Sequence, residues 1–435
     1  MSLGILAVLS VGIADAYFLG QLGGEPLAAV GFIYPVTAAI TSLSIGLSAG
    51  ANSAISQAIG REDDERAINQ LSLHAIGLGL GLTVFVSALF FAMSGFIFTA
   101  MGASEGVRAE IAQYVPAWAA SFPFLVLMMT VNAVFRAHGD AGYASIFMIL
   151  AACVNIALNP LFIFGFAGIE GLGTGGAALA TFVGRLLAAV AAVYFAIRWG
   201  YLKRCGTFLT GVRDNLREIV GVGAPAAFSN ATNPAGMALV TAAVATLGDA
   251  AVAGFGAATR IQSIAIVVML ALSSGIGPVV GQNWGAEKYD RARSAVLQSW
   301  LFCVAYGGCL AVLLFWLAEP LAGLIASSSE EAEYAAQYLR IVGWSLMGYG
   351  VLVTANAAMN ARSKARYSMM LSLGRIFAVY LPLAWFGVGV FGYEGILAAA
   401  VVANVAAIAG ALYFCSKTEL FGGARSASTG KAVWS

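Results

Sequence analysis

Long apolar stretches broken by short polar segments set the pattern of this chain. A spanning helix needs ~20 consecutive apolar residues. Runs of that kind fall near 1–20, 27–59, 67–95, 109–135, 143–165 and 174–197, then near 216–246, 251–283, 292–318, 332–359, 367–390 and 395–416. Membrane β-barrels show ~10-residue alternating segments instead. The pattern therefore predicts an all-α integral membrane protein with twelve transmembrane helices.

The breaks between runs alternate in charge. One set holds Arg61 and Arg66, Arg136, the run Arg198, Lys203, Arg204, Arg213 and Arg217, then Lys288, Arg291 and Arg293, then Arg362, Lys364 and Arg366, and finally Lys417, Arg425 and Lys431. The opposite set holds Glu25, Glu105, Glu170, Asp249, Glu319, Glu330, Glu331, Glu333 and Glu394. Seventeen of the 22 basic residues fall in the first set and only Arg108 in the second. Cytoplasmic loops concentrate Lys and Arg, so both termini are expected in the cytoplasm. An odd number of spans would mix the two sets.

Composition narrows the picture further. Of the 435 residues, 60% are hydrophobic and 10% charged, whereas a soluble domain carries roughly 25% charged residues. A net charge of +1 supplies no basic field for nucleic acid. The two histidines and the cysteines Cys153, Cys205, Cys303, Cys309 and Cys415 show neither CxxC nor HExxH spacing, so no bound cofactor and no structural metal is expected. Residues 3–14 with Ala14-Asp15-Ala16 superficially resemble a secretory signal. No basic n-region precedes them, so the stretch reads as a retained first helix. Its abrupt beginning at Met1 fits residues missing upstream.

The two halves repeat. A shift of 225 places Gly23 on Gly248, Gly50 on Gly275, Gln57 on Gln282 and Gly60 on Gly285. A shift of 224 superposes Asn132-Ala133 on Asn356-Ala357 and Tyr143 on Tyr367, and one of 219 places Tyr194-Phe195 on Tyr413-Phe414. Six spans per half give copies of the same orientation, the parallel-repeat arrangement of alternating-access carriers. The expected organisation is an N-terminal six-helix lobe at 1–198, a cytoplasmic linker at 199–215, a C-terminal six-helix lobe at 216–416 and a cytoplasmic tail at 417–435. With no domain outside the membrane, an intramembrane enzyme or a receptor is disfavoured: no nucleophile–base or metal constellation is present, and duplicated lobes suit a carrier.

Ionisable residues within spans are costly and by default functional. Arg340 and Arg375 lie within snorkelling distance of helix ends, whereas Arg185 and Arg260 lie deeper and read as structural cations. Asp15 is the acid well inside a span, flanked by Ile13, Ala14, Tyr17 and Phe18. A carboxylic acid in apolar surroundings can load and release a proton near neutral pH. One charge crossing the membrane potential is worth ~2.3 kcal/mol per 100 mV, enough for a gradient of roughly 40-fold. Asn155 and Asn159 stand at i and i+4, immediately before Pro160, and Ala177 and Thr181 share that spacing in the next span. An acid with two amides and a hydroxyl suits a proton or a small hard cation such as Na⁺. Tyr34, Trp118, Phe122, Trp344 and Tyr349 read first as packing or interfacial residues, and second as π faces for a cationic substrate.

These residues resemble the multidrug and toxic compound extrusion (MATE) family, in its DinF-like bacterial branch. The likeness runs along essentially the whole chain. It rests on Asp15-x-x-Phe18-x-Gly20-x-Leu22-Gly23, Gly46-Leu47-Ser48-Ala49-Gly50 with Gln57-Ala58-Ile59-Gly60-Arg61, Asn155-x-x-x-Asn159-Pro160-Leu161-Phe162, and Gly281-Gln282-Asn283-x-Gly285-Ala286. The resemblance implies a secondary antiporter in the bacterial inner membrane, expelling cationic, often aromatic compounds in exchange for H⁺ or Na⁺. It implies Asp15 as the coupling acid, with Asn155, Asn159, Thr181 and the Ala177 backbone as its polar neighbours. Asn132, with Tyr34 and the repeat partner Asn356, is the expected substrate-facing set. Two departures stand out: the family often carries Asp at the Asn159 position, and Asn230-Ala231-Thr232-Asn233-Pro234 replaces the acid of NorM-like seventh helices. The lipid bilayer and small-molecule substrates are the partners expected of a monomer. A lipid-linked-oligosaccharide flippase is the alternative; its pyrophosphate calls for several cations in the cavity, and only Arg185 and Arg260 offer themselves.

Overall fold

The computed structural model of the chain describes residues 1–166, 169–203 and 210–422. Arg204, Cys205, Arg425 and Lys431, with the corresponding parts of the 199–215 linker and the 417–435 tail, lie outside the described residues. The first half contains α1 (Ser2–Leu22), α2 (Gly24–Gly60), α3 (Glu65–Ala100), α4 (Glu105–Ala120), α5 (Phe122–Ala137), α6 (Ala141–Phe164) and α7 (Gly173–Arg198). α8 (Val212–Ala245) leads into α9 (Asp249–Ala265), α10 (Val267–Gly285), α11 (Tyr289–Ile325), α12 (Ser329–Val342), α13 (Leu346–Ala361), α14 (Ala365–Leu373) and α15 (Leu381–Lys417). A π-helical stretch, Gly374–Tyr380, joins the last two. Among the described residues the only strands are β1 (Gly165–Phe166) and β2 (Ile169–Glu170), a minimal antiparallel pair between α6 and α7.

Nine helical stretches among the described residues are long and apolar enough to cross a bilayer, and the pair α9–α10, bent by 45°, makes ten. The 53-residue stretch Ala365–Lys417 divides at Gly392 (φ 59), which makes two crossings of it. α8 is diluted by Asn230, Thr232, Asn233 and two prolines, and it completes the twelve. Proline marks some helix starts, Pro123 in α5 and Pro382 in α15, but not the other breaks. Pro35, Pro116, Pro160 and Pro278 sit inside continuous helix, while the breaks at Ile266 and Gly392 carry none.

By contact the chain divides into two compact units, Met1–Pro234 and Ala235–Ser435. In the first, α1 packs on α6, α2 on α5, and α4 and α5 on α7. One core of this unit gathers Ile33, Phe90, Trp118 and Phe122, with the Trp118 and Phe122 rings 4.6 Å apart edge to face. In the second unit α11 packs on α12 and α13, α9 on α12, and α10 and α15 on α13, around Phe255, Tyr338 and Ile396 and around Met269, Trp300 and Met359. Large apolar side chains such as Phe96, Trp316, Leu324 and Phe391 are exposed, as expected for surfaces that lipid covers.

Lipid removes the hydrophobic drive between helices, so small residues carry much of the packing. Gly46 and Gly50 on α2 form a Gly-x-x-x-Gly face against Ile219, Gly223 and Ala227 of α8. A Cβ at Gly46 would stand 2.5 Å from that of Ala227. We expect Gly50→Leu to destabilise the first unit by ~1–3 kcal/mol, seen as a lower melting temperature in detergent; an unchanged melt would mean that α8 does not press there.

The duplication is visible in the backbone. Gly23 and Gly248 both open a helix at positive φ (141 and 111), and Glu62 and Glu287 both take φ 58. Ser48 Oγ donates to the Met129 carbonyl (3.1 Å), and Ser273 Oγ donates to that of Val353 (2.9 Å). Both residues of each bond obey the 224–225 shift. Each unit thus repeats the same internal fastenings.

At the loop after α5, the His138 ring stacks on Tyr201 at 4.2 Å and pairs with the Val134 carbonyl, while Tyr201 donates to Asp140. Burial holds His138 below its ordinary 6.5, outweighing the opposing pull of that carbonyl and of Asp140. The unfolded chain therefore binds this proton more readily. Its stabilising contribution is full above pH ~6.5 and lost as pH falls. Melting between pH 7.5 and 5.5 should lose less stability in His138→Phe than in wild type; parallel curves would discount the group.

Candidate functional site

Asp15 lies on α1, seven residues before its C-terminal end, and is part-buried against α6. The i, i+4 spacing brings both α6 amides to one face. Asn159 Nδ2 donates to Asp15 Oδ1 (2.5 Å) and to Asn155 Oδ1 (3.3 Å). Asn155 Nδ2 donates to Thr181 Oγ1 of α7 (3.0 Å), which in turn donates to the Ala177 carbonyl (3.1 Å). The acid and the four residues expected around it are therefore joined in one chain of hydrogen bonds across α1, α6 and α7. Asn155 and Asn159 are fully buried, and Asn159 Oδ1 has no hydrogen-bond partner among the described residues.

Two further residues complete the cluster. Tyr114 of α4 is buried beside Thr181, and Arg185 stands one turn beyond Thr181 on α7. The charges of Asp15 and Arg185 act on one another, and Arg185 Nη1 donates to Ser121 Oγ (2.6 Å) at the α4–α5 break. One turn before Tyr114, the Glu110 carboxylate accepts from Thr174, a second fastening between α4 and α7. Reading Arg185 as a purely structural cation missed its place beside the acid. A signal was present: the 224 shift puts Tyr114 on Tyr338 and Ser121 on Ser345.

The second unit builds a different polar centre at the corresponding place. Asn404 stands where the 219 shift puts Arg185, and its Nδ2 donates to Ser345 Oγ (2.8 Å), matching Arg185 on Ser121. The cation comes from Arg375 on the π-helical stretch: Nη1 donates to Asn404 Oδ1 (3.0 Å), and the guanidinium lies 5.7 Å from the Tyr349 ring centre. Arg375 is buried rather than snorkelling. The extra residue of a π turn swings it inward, a feature common at functional sites. Arg260 lies within α9 on an exposed face, and Arg340 pairs with Glu319 at 2.6 Å.

The expected substrate-facing residues are dispersed. Tyr34 is 65% exposed on α2. Asn132 is fully buried on α5, with neither end of its carboxamide hydrogen-bonded. Asn356 Nδ2 donates to Ser372 Oγ (2.9 Å) in the second unit. Trp118 and Phe122 are core residues with no free face.

A single carboxylate among amide, hydroxyl and carbonyl oxygens, with the Arg185 charge acting on it, can take up one proton or, through its oxygens, one monovalent cation. A duplicated bundle of membrane helices around a polar centre is the build of a class of protein, the multi-pass membrane carrier. A family model described as MatE matches residues 1–161 and 225–386, once in each half. The chain belongs to the multidrug and toxic compound extrusion family, and it is a membrane transporter rather than an enzyme.

Relatives agree along nearly the full length. A protein named FAD transporter from Shewanella oneidensis is 33% identical over 405 residues, 93% of this chain and 89% of that one. A probable multidrug resistance protein, YoeA of Bacillus subtilis, is 27% identical, covering 84% of this chain and 79% of its own. The crystal structure of a mutant of the Vibrio cholerae MATE transporter VcmN superposes with a TM-score of 0.92 at 28% identity, covering 96% of this chain and 94% of that one.

Proposed function

We propose that this chain is a proton-coupled antiporter that expels organic cations and related aromatic amphiphiles by alternating access. The observation that carries the reading is the Asp15 carboxylate, held inside a membrane helix by Asn159 and backed by Asn155 and Thr181. Amide donors stabilise the ionised acid, while removal from water favours the neutral form. An acid balanced between these pulls exchanges its proton when access switches. H⁺ is preferred over Na⁺ because only one carboxylate reaches the cluster and the Arg185 charge already acts on it. The oxygens that would hold Na⁺ instead are those of Asp15, Asn155, Asn159 and Thr181. The protein works as a monomer in the bacterial inner membrane with both termini cytoplasmic.

The cargo has a second reading, an aromatic dinucleotide such as FAD. The relative bearing that name is 33% identical, and Arg185 and Arg375 each place a guanidinium inside a membrane helix, with Arg136 at the end of another. The test is reconstitution in liposomes with imposed ΔpH or ΔNa⁺, following ethidium efflux. Efflux driven by ΔpH alone is expected; efflux driven only by ΔNa⁺ would overturn proton coupling. Movement of FAD but not of ethidium would decide for the second cargo.

A further inference from the structure

Arg136, one residue before the end of α5, donates from Nη2 to Ser48 Oγ of α2 (2.7 Å). Ser48 is the same hydroxyl that grips the Met129 carbonyl. Met129, Asn132 and Arg136 recur at helical spacing, so Asn132 shares the stripe of α5 that meets Ser48. Asn52 stands one turn beyond Ser48 on α2. Among the described residues Arg136 has no acidic partner, both ends of the Asn132 carboxamide lack a hydrogen bond, and so does Asn52 Oδ1.

The repeat supplies its own control. Asn356, in the place of Asn132, donates from Nδ2 to Ser372, whose counterpart under the same shift is Met148, and keeps only its Oδ1 open among the described residues. Asn360, in the place of Arg136, accepts from Ser368 Oγ (2.7 Å). The second unit engages the Asn356 amide nitrogen and the Asn360 oxygen with serine hydroxyls. The first leaves the amide open and sets a cation one turn away. A buried carboxamide without partners forfeits its hydration with nothing in return, and a part-buried cation with no acidic partner calls for oxygen acceptors.

We propose that Arg136, Ser48, Asn132 and Asn52 form a subsite for the acidic group, phosphate or carboxylate, of an amphiphilic substrate. Guanidinium and amide N–H groups donate to its oxygens, and a neighbouring hydroxyl or imide N–H on the ligand supplies the open amide oxygens. This rests on the transport reading and extends its cargo from cations to compounds that also carry an acid.

Flavin mononucleotide and riboflavin differ only by a phosphate, so they isolate the effect. With the protein in phosphatidylcholine nanodiscs, wild type is expected to bind flavin mononucleotide about tenfold more tightly than riboflavin, ~1.4 kcal/mol. Arg136→Gln should erase that preference while leaving riboflavin binding intact, and Arg136→Lys should keep part of it. Equal binding of the two flavins by wild type, including no binding of either, overturns the proposal. So does an Arg136→Gln variant that weakens both alike, the mark of a structural role. Loss of the preference when phosphatidylglycerol replaces phosphatidylcholine would give the site to lipid headgroups and overturn its assignment to substrate. Asp15→Asn should retain the preference, so proton coupling and this subsite can fail separately.

Discussion

Asp15→Asn is expected to abolish ΔpH-driven efflux of ethidium from liposomes, to the leak rate of protein-free vesicles. The substitution keeps the shape of the side chain and its place against Asn159 while removing the exchangeable proton. Dye binding in detergent should change by no more than about threefold, because a transport coupling group contributes to the cycle rather than to the resting complex. That separation matters, since a collapsed fold would lose binding and transport together. Efflux by the variant at the wild-type rate, under the same gradient, would remove Asp15 from the mechanism.

Asn159→Asp is expected to add Na⁺-driven efflux to a protein that otherwise follows protons. Asn159 Nδ2 touches Asp15 directly at 2.5 Å, so a carboxylate there puts two acids in one contact. At ~4 Å a second negative charge attracts a cation by about 4 kcal/mol at an effective dielectric of 20. Burying another charge offsets part of this, leaving an expected gain in Na⁺ affinity of at least about tenfold. Efflux rates measured against Na⁺ at fixed pH would show the gain. A variant with no response to Na⁺ would mean that the amides do not line an ion site.

Much of this was legible along the chain because the bilayer writes strong periodicities. Hydrocarbon thickness fixes helix length, and the apolar runs already number twelve, with the alternating loops agreeing. Among the described helices ten pass as spans, because one stretch runs through Gly392 and α8 is diluted by polar residues. The i, i+4 amides were equally plain, since one helix determines its own face. What the sequence could not display was which helices meet. Tyr114 and Ser121 join the acid only because α4 and the α4–α5 break pack on α7. Arg375 reads as near an interface in straight helix, and the π turn that carries it inward has no sequence signature. Tyr34, Trp118 and Phe122 show the reverse problem: aromatic residues look alike in sequence, whether they end in a core or on an exposed face.

The hydrogen-bonded acid of the first unit has Val240 in its place in the repeat. Under the proposed proton coupling, one titrating group per cycle sets the stoichiometry at one proton, and the cargo then decides which battery the transporter draws on. A singly charged cation leaving as one proton enters moves no net charge, so voltage contributes nothing, and its accumulation is capped at tenfold per pH unit. A zwitterion or a neutral compound exchanged for the same proton makes the cycle electrogenic, and the membrane potential adds its full share.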